Sequence, residues 1–480
     1  MVFSSPIFLF YFLPAALLAY FLTPPRWRNI PALAASLLFF AWGAPRFVFV
    51  LVATCLADYH ASRWLPRGRL PEPRRRRLLG AILALDLGLL LYFKYANFFV
   101  AQVQSLLSAL GIPAFSWPGV VLPIGISFFT FQKISYLVDV YRGTAQPAPS
   151  AGRHLLYIAL FPQLIAGPIV RYHDVALQLE TRTVTSGLFL DGVWRFALGL
   201  AKKVLVANTF ARLANAVFGA HPFDLTAPQA WAGLLAYSFQ LYYDFAGYSD
   251  MAIGLGRMLG FRFLENFDFP YASAGIGEFW RRWHISLGRF MMEYLYLPLG
   301  GNRGSPRQTT RNLWLVFLAS GFWHGANWTF VLWGIWHGFW ITAEKRLGPD
   351  RLARVPGPLR VAVTFLLVSL GWVLFRCPSP HHASRFYRIL FGIHAGGPGL
   401  FEFPEIIADR ALWLVAAVAI PLAFAPALRL DRLLPCDPDD PDRQPWIPVL
   451  LKFALSLAIL AFAASELCAS GFNPFIYFQF

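Results

Sequence analysis

The chain has 480 residues, of which 57% are hydrophobic, 17% aromatic and only 14% charged, with a formal net charge of +16. Soluble proteins carry roughly a quarter charged residues, and the mean hydropathy here is +0.51. This composition excludes a soluble enzyme, a disordered chain and a nucleic-acid-binding domain, and leaves a multi-pass membrane protein whose basic residues gather in short loops between apolar runs.

In chain order the apolar runs are 6–23, 30–42, 47–60, 79–98, 119–138, 154–170, 186–207, 228–256, 312–343, 360–375, 411–428 and 446–470. They predict an all-α polytopic fold of about 11–12 transmembrane or re-entrant helices, since a crossing needs about 20 helical residues and several runs are shorter. The first run has no basic segment before it, while Arg26 and Arg28 follow it. It therefore reads as a retained span with its N-terminus outside. Residues 61–78 hold seven Arg and one Glu, the best cytoplasmic anchor. Lys202, Lys203, Lys345, Arg346, Arg351 and Arg354 are further cytoplasmic candidates. The loop 429–445 is charged, proline-rich and solvated. No repeat and no soluble domain is visible, so residues 1–480 read as one membrane domain.

Residues 276–305 (IGEFWRRWHISLGRFMMEYLYLPLGGNRGS) depart from span behaviour. On one helix, Glu278, Arg282, Arg289 and Glu293 share a stripe and pair at i,i+4. Such a helix lies at the membrane interface, either as an anchor or as the lining of a substrate passage. The following stretch, Leu313 to Ala343, carries no formal charge. From Arg311 to Lys345 a single helix would run roughly 50 Å, against a hydrocarbon core of about 30 Å. A break is expected, and Gly325-Ala326-Asn327 is the place for it.

His324 sits beside that break, where an imidazole can face a cavity and serve as general base at neutral pH. A structural ring bonded to a neighbouring carbonyl is the other reading. His337 lies 13 residues on; on a straight helix the two rings would stand roughly 20 Å apart along the axis and share no site. No metal site is indicated: carboxylates and histidines do not cluster, and Cys55, Cys377, Cys436 and Cys468 are dispersed. Asp244 and Asp250, six residues apart in an apolar run, and Asp139 near a span end are polar contacts or orienting carboxylates. The run GLGRMLG (254–260) reads as helix packing through small residues rather than a phosphate loop.

Longer stretches carry a resemblance. They are YFKYANFF (92–99), LPIGISFFTFQKISYLVDVYRG (122–143), FPQLIAGPIVRY (161–172), QLYYDFAGYSDMAIGLG (240–256), NFDFPYASAGIGEFWRRWHISL (266–287), YLPLGGNRGS (296–305) and FWHGANWTFVLWGIWHG (322–338). Together they resemble the membrane-bound O-acyltransferase family, most closely its alginate O-acetylase branch. The matches fill most of 1–345, the family core, with 346–480 as C-terminal helices ending in an aromatic tail.

The resemblance implies helices around a central tunnel and His324, in the WHGA motif, as the catalytic residue. Trp323, Asn327, His337, Asp244, Asp250, Arg282 and Glu293 become tunnel-lining or supporting candidates. It implies acetyl-CoA as donor substrate with no bound cofactor, an inner-membrane location among membrane lipids, and a separate periplasmic acetyltransferase as partner. The acceptor is an alginate-like exopolysaccharide; peptidoglycan O-acetylation and teichoic-acid-type D-alanylation are the alternatives, and a lipid-linked sugar transporter is the rival from another class. Where the family has Arg-Asp before a tyrosine, this chain has Met292-Glu293-Tyr294. The tail NPFIYFQF (473–480) is similar to tails in which a tyrosine carries the acyl group, which makes Tyr477 a second catalytic candidate; an interfacial aromatic anchor is the plainer reading.

Overall fold

The computed structural model describes residues 1–393, 397–429 and 446–470. Tyr477 and Cys436 lie outside the described residues. Every regular element among those described is helical. The helices are α1 Phe8–Leu22, α2 Asn29–Gly43, α3 Phe47–Ser62, α4 Glu72–Ala109, α5 Ile126–Arg142, α6 Ala151–Ala159, α7 Phe161–Leu164, α8 Tyr172–Glu180, α9 Ser186–Ala201, α10 Asn208–Gly219, α11 Ala227–Met258, α12 Ile276–Arg282, α13 Ile285–Met291, α14 Pro306–His324, α15 Trp328–Leu347, α16 Pro349–Ala353, α17 Gly357–Arg376, α18 Pro380–Leu390, α19 Phe403–Ala408, α20 Arg410–Ala423 and α21 Trp446–Ser470. By length and hydropathy, α4, α17 and α21 can each cross a membrane. The chain is thus an all-α, polytopic membrane protein.

Two compact units divide it. The first comprises Met1–Thr185 with Leu255–Leu264. Its helix α4 has 38 residues, about 57 Å at 1.5 Å per residue, so it outruns the hydrocarbon and carries Arg74–Arg77 on its polar end. The run expected as one span over 154–170 is instead two short helices, because Leu160 leaves helical geometry and Pro162 follows. Helices α3, α4 and α5 bury an ion cluster, with Lys133 donating to Asp86 and lying 3.2 Å from Asp58. These charges sit in otherwise apolar runs, and only pairing makes such burial tolerable.

The second unit comprises Ser186–Gly254 and the chain from Glu265 onward. Here α9 continues through a wide π turn, Lys202–Ala207, and packs along α11 at backbone contact. A Cβ on Gly199 would stand 2.6 Å from the Gly247 carbonyl oxygen, and one on Gly254 2.6 Å from that of Gly192. The small-residue packing expected at 254 is therefore real. Lys203, a candidate for the cytoplasmic end of its run, lies inside this seam, bound to Asp244 at 2.6 Å. The stretch 276–305 is also corrected. It breaks between α12 and α13 at Trp283 and His284, the latter in left-handed geometry with φ 48°. The stripe joining Glu278 to Glu293 on one helix does not exist, although Glu278 and Arg282 do pair at 2.7 Å.

Candidate active site

The charge-free stretch breaks where its length demanded. Helix α14 ends at His324, residues Gly325–Asn327 turn, and α15 returns against it. Two glycines set the approach. A Cβ on Gly321 would lie 2.3 Å from the Phe330 carbonyl oxygen, and one on Gly334 2.5 Å from that of Phe317. At the turn, a Cβ on Gly325 would meet the Phe330 ring at 2.2 Å. Asn327 caps α15, accepting from the Thr329 amide at 3.1 Å, while its Nδ2 donates to the Pro378 carbonyl at 2.8 Å. Asn327 is thus the residue that holds the turn.

His324 closes α14 and is 5% exposed. Its ring stands 5.0 Å from Trp323, 5.0 Å from Trp333 and 5.1 Å from Phe375, each contact edge-on. Trp333 also touches His337, at 4.8 Å. The expected wide separation of the two histidines is therefore wrong. It assumed one straight helix, whereas the reversal brings both rings onto the same indole, no farther apart than the sum of 5.0 and 4.8 Å. His337 is enclosed by Trp280 at 4.8 Å and Trp372 at 6.2 Å. Neither of its ring nitrogens has a hydrogen-bond partner among the described residues. Gly371 leaves room for it, since a Cβ there would sit 2.9 Å from its Nε2.

A third histidine, not singled out in the sequence, joins the row. His284 packs at 6.1 Å on Trp323, the indole that also touches His324. Its Nδ1 lies 3.1 Å from Asn266 Oδ1, an oxygen that accepts as well from the Ser286 amide. That backbone donor fixes the amide's orientation, so Nδ1 carries the proton and Nε2 the lone pair. The local signal was WHIS itself, a histidine between two apolar residues directly after a charged helix.

The remaining candidates fall elsewhere. Asp250 binds Arg195 at 2.7 Å and Lys202 at 2.6 Å, and Asp244 binds Lys203. These pairs tie α11 to α9 and its π turn. Arg282 pairs with Glu278 one turn back on its own helix, and Glu293 is half-buried on the π turn Met292–Tyr296. Asp139 pairs with His173 of α8 at 2.7 Å. Among the described residues, no three His, Cys, Asp or Glu side chains group as metal ligands. A cavity of about 400 Å³ opens beside Arg195, Lys202 and Asp250, and none of the residues of the histidine–indole row lines it.

Residues 145–349 match the model of the membrane-bound O-acyltransferase family. That span holds every candidate above except Asp139 and Tyr477. Over its whole length, and the whole of theirs, the chain is 42% identical to a probable alginate O-acetylase of Pseudomonas putida and 40% to one of Pseudomonas aeruginosa. It is 34% identical to a peptidoglycan O-acetyltransferase of Helicobacter pylori, across 82% of this chain and 80% of that protein.

Proposed function

The chain belongs to the membrane-bound O-acyltransferase family and is an O-acetyltransferase, and from that premise we propose that it moves acetyl groups from cytoplasmic acetyl-CoA to an alginate-like polysaccharide outside the inner membrane. His324 is the general base. The observation that carries this reading is the placement of its imidazole at the end of α14, walled by Trp323, Trp333 and Phe375. In this low-dielectric setting the ring accepts the proton of an attacking hydroxyl, a new C–O bond forms at the acetyl carbon, and the C–S bond of the thioester breaks. The proton passes to the departing thiolate. The carbonyl dipoles at the C-terminus of α14 favour the positive charge that develops on the ring.

This reading calls for a tunnel that admits the thioester from the cytoplasm and the hydroxyl from the other side. The N-terminus is extracytoplasmic, as the arginines of 61–78 require of an inner-membrane chain with three spans before them. Tyr477 takes the acetyl group first as a phenyl ester, a good acyl donor. A periplasmic acetyltransferase then passes it to the glycan. Alginate is favoured over peptidoglycan because the alginate O-acetylases match over their full length at 40–42% and the peptidoglycan enzyme at 34% over four-fifths.

The test is acetyl transfer from labelled acetyl-CoA by purified chain with its periplasmic partner. His324→Ala should leave only background with the protein still folded, and Tyr477→Phe should abolish delivery to glycan while preserving partner binding. Normal acetylation by the alanine variant sinks the base assignment. Normal acetylation by the phenylalanine variant sinks the acyl-tyrosine.

A further inference from the structure

We propose that the cavity between α9, α11, α20 and α21 holds a glycerophospholipid with a phosphate–ammonium headgroup. Its volume, about 400 Å³, falls within the roughly 300–1,000 Å³ of small-molecule sites. The lining has two chemically different ends. One carries Arg195, Lys202, Arg429, Asp250 and Glu265; the other is apolar, with Leu205, Leu414, Val418 and Phe462.

The apolar end decides the route of entry. Leu414 is 70% exposed, Val418 55% and Phe462 62%, although all three line the cavity. On α20 and α21 of a membrane-spanning chain, such side chains meet hydrocarbon. The cavity therefore opens sideways to acyl chains, a route closed to a water-soluble nucleotide.

The polar end selects the headgroup. Lys202 Nζ donates to Asp250 at 2.6 Å and Arg429 to Asp268 at 2.5 Å, and an ammonium with three N–H donors and a guanidinium with five can each serve a second acceptor. These donors suit a phosphate. Arg429 is braced by Phe269, whose ring lies 5.6 Å from the guanidinium and whose backbone is left-handed at φ 46°. Glu265, bound to Arg195 at 2.5 Å and 42% exposed, offers oxygen to an ammonium. Arg195, Lys202 and Arg429 stand in the lining beside Asp250 and Glu265, with Asp268 just beyond on Arg429, so a phosphate and an ammonium each find an opposite charge, as a dipolar headgroup requires.

The experiment uses the full chain, purified and delipidated in detergent, with native mass spectrometry during titration with palmitoyl-oleoyl phosphatidylethanolamine. One retained lipid per chain is expected. Lys202→Gln with Arg429→Gln should weaken retention roughly tenfold, about 1.4 kcal/mol. Val418→Phe, which narrows the slot without touching a charge, should weaken it likewise even if the double variant folds poorly. Lys345→Gln should change nothing. Equal retention by the slot variant, no retention by the wild type, tighter retention of phosphatidylglycerol, or displacement of the lipid by acetyl-CoA each overturns the proposal. No acyl transfer is measured, so the outcome is independent of the role of His324.

Discussion

Two helix seams of the C-terminal unit are built alike and filled differently. Both α9–α11 and α14–α15 use glycines to bring backbones into contact, Gly199 and Gly254 in the first, Gly321 and Gly334 in the second. The first then buries charge, as Lys203–Asp244 and Arg195–Asp250–Lys202. The second buries no formal charge and surrounds its imidazoles with indole and phenyl rings. Charges held in pairs cannot leave without stranding a partner, so the fully buried Lys203–Asp244 pair of the first seam is committed to structure. An imidazole in an aromatic wall can be removed without stranding an opposite charge, so the second can be specialised for chemistry.

The sharpest way to break this contrast is to measure activity and stability together. His324→Ala should lower acetyl transfer by about 10²–10⁴-fold, the usual worth of a general base, while the thermal midpoint in detergent stays near wild type. A collapse of stability with activity would make the two seams equivalent. At the other seam, Lys203→Ala should cost about 3–5 kcal/mol by removing the cation bound to buried Asp244. It would show as loss of folded protein in size-exclusion chromatography. Replacing both partners, Lys203→Met with Asp244→Leu, should recover most of that loss. Failure of the double variant would mean the pair does more than satisfy itself.

Smaller effects sharpen the comparison within the aromatic seam. Gly334→Ala should cost about 1–3 kcal/mol, an overpacking penalty, because its new methyl meets the Phe317 carbonyl. His337→Phe should cost under about 1.5 kcal/mol, since no nitrogen of His337 is hydrogen-bonded among the described residues and the ring fills a cage. A hundredfold loss of activity in the phenylalanine variant would promote His337 from packing to chemistry.

The break at Gly325–Asn327 was legible because length and the absence of charge forbade one helix, an argument that needs no neighbours. What the break does was not legible. Distances along a sequence treat the chain as straight, so the shared indole Trp333 was hidden until α15 folded back. The burial of Lys203 was hidden for a related reason: a lysine pair at a run's end gives no sign of the carboxylate opposite, 41 positions on at Asp244. The cluster Asp58, Asp86 and Lys133 did leave a trace, isolated charges within three apolar runs, and pairing across runs is the inference that trace permits.

The gentlest prediction concerns the ion pair that faces water. His173 on α8 is about one-third exposed and bonds Asp139 through Nδ1 at 2.7 Å. That hydrogen bond, and behind it the charges of Asp139 and Asp174, raise its pKa above the usual histidine value. A raised folded pKa means the stabilisation is full below the unfolded value, about 6.5, and fades as pH climbs through the folded one. Solvent screening keeps it small, under about 1 kcal/mol. The thermal midpoint should therefore slip slightly between pH 6 and 8.5, and His173→Gln should remove that slope while leaving the rest of the pH profile intact. If the glutamine variant keeps the same slope, the titrating group lies elsewhere. If its slope grows, a buried pair such as those of α9 and α11 is reporting to solvent, and the division between seams drawn here is wrong.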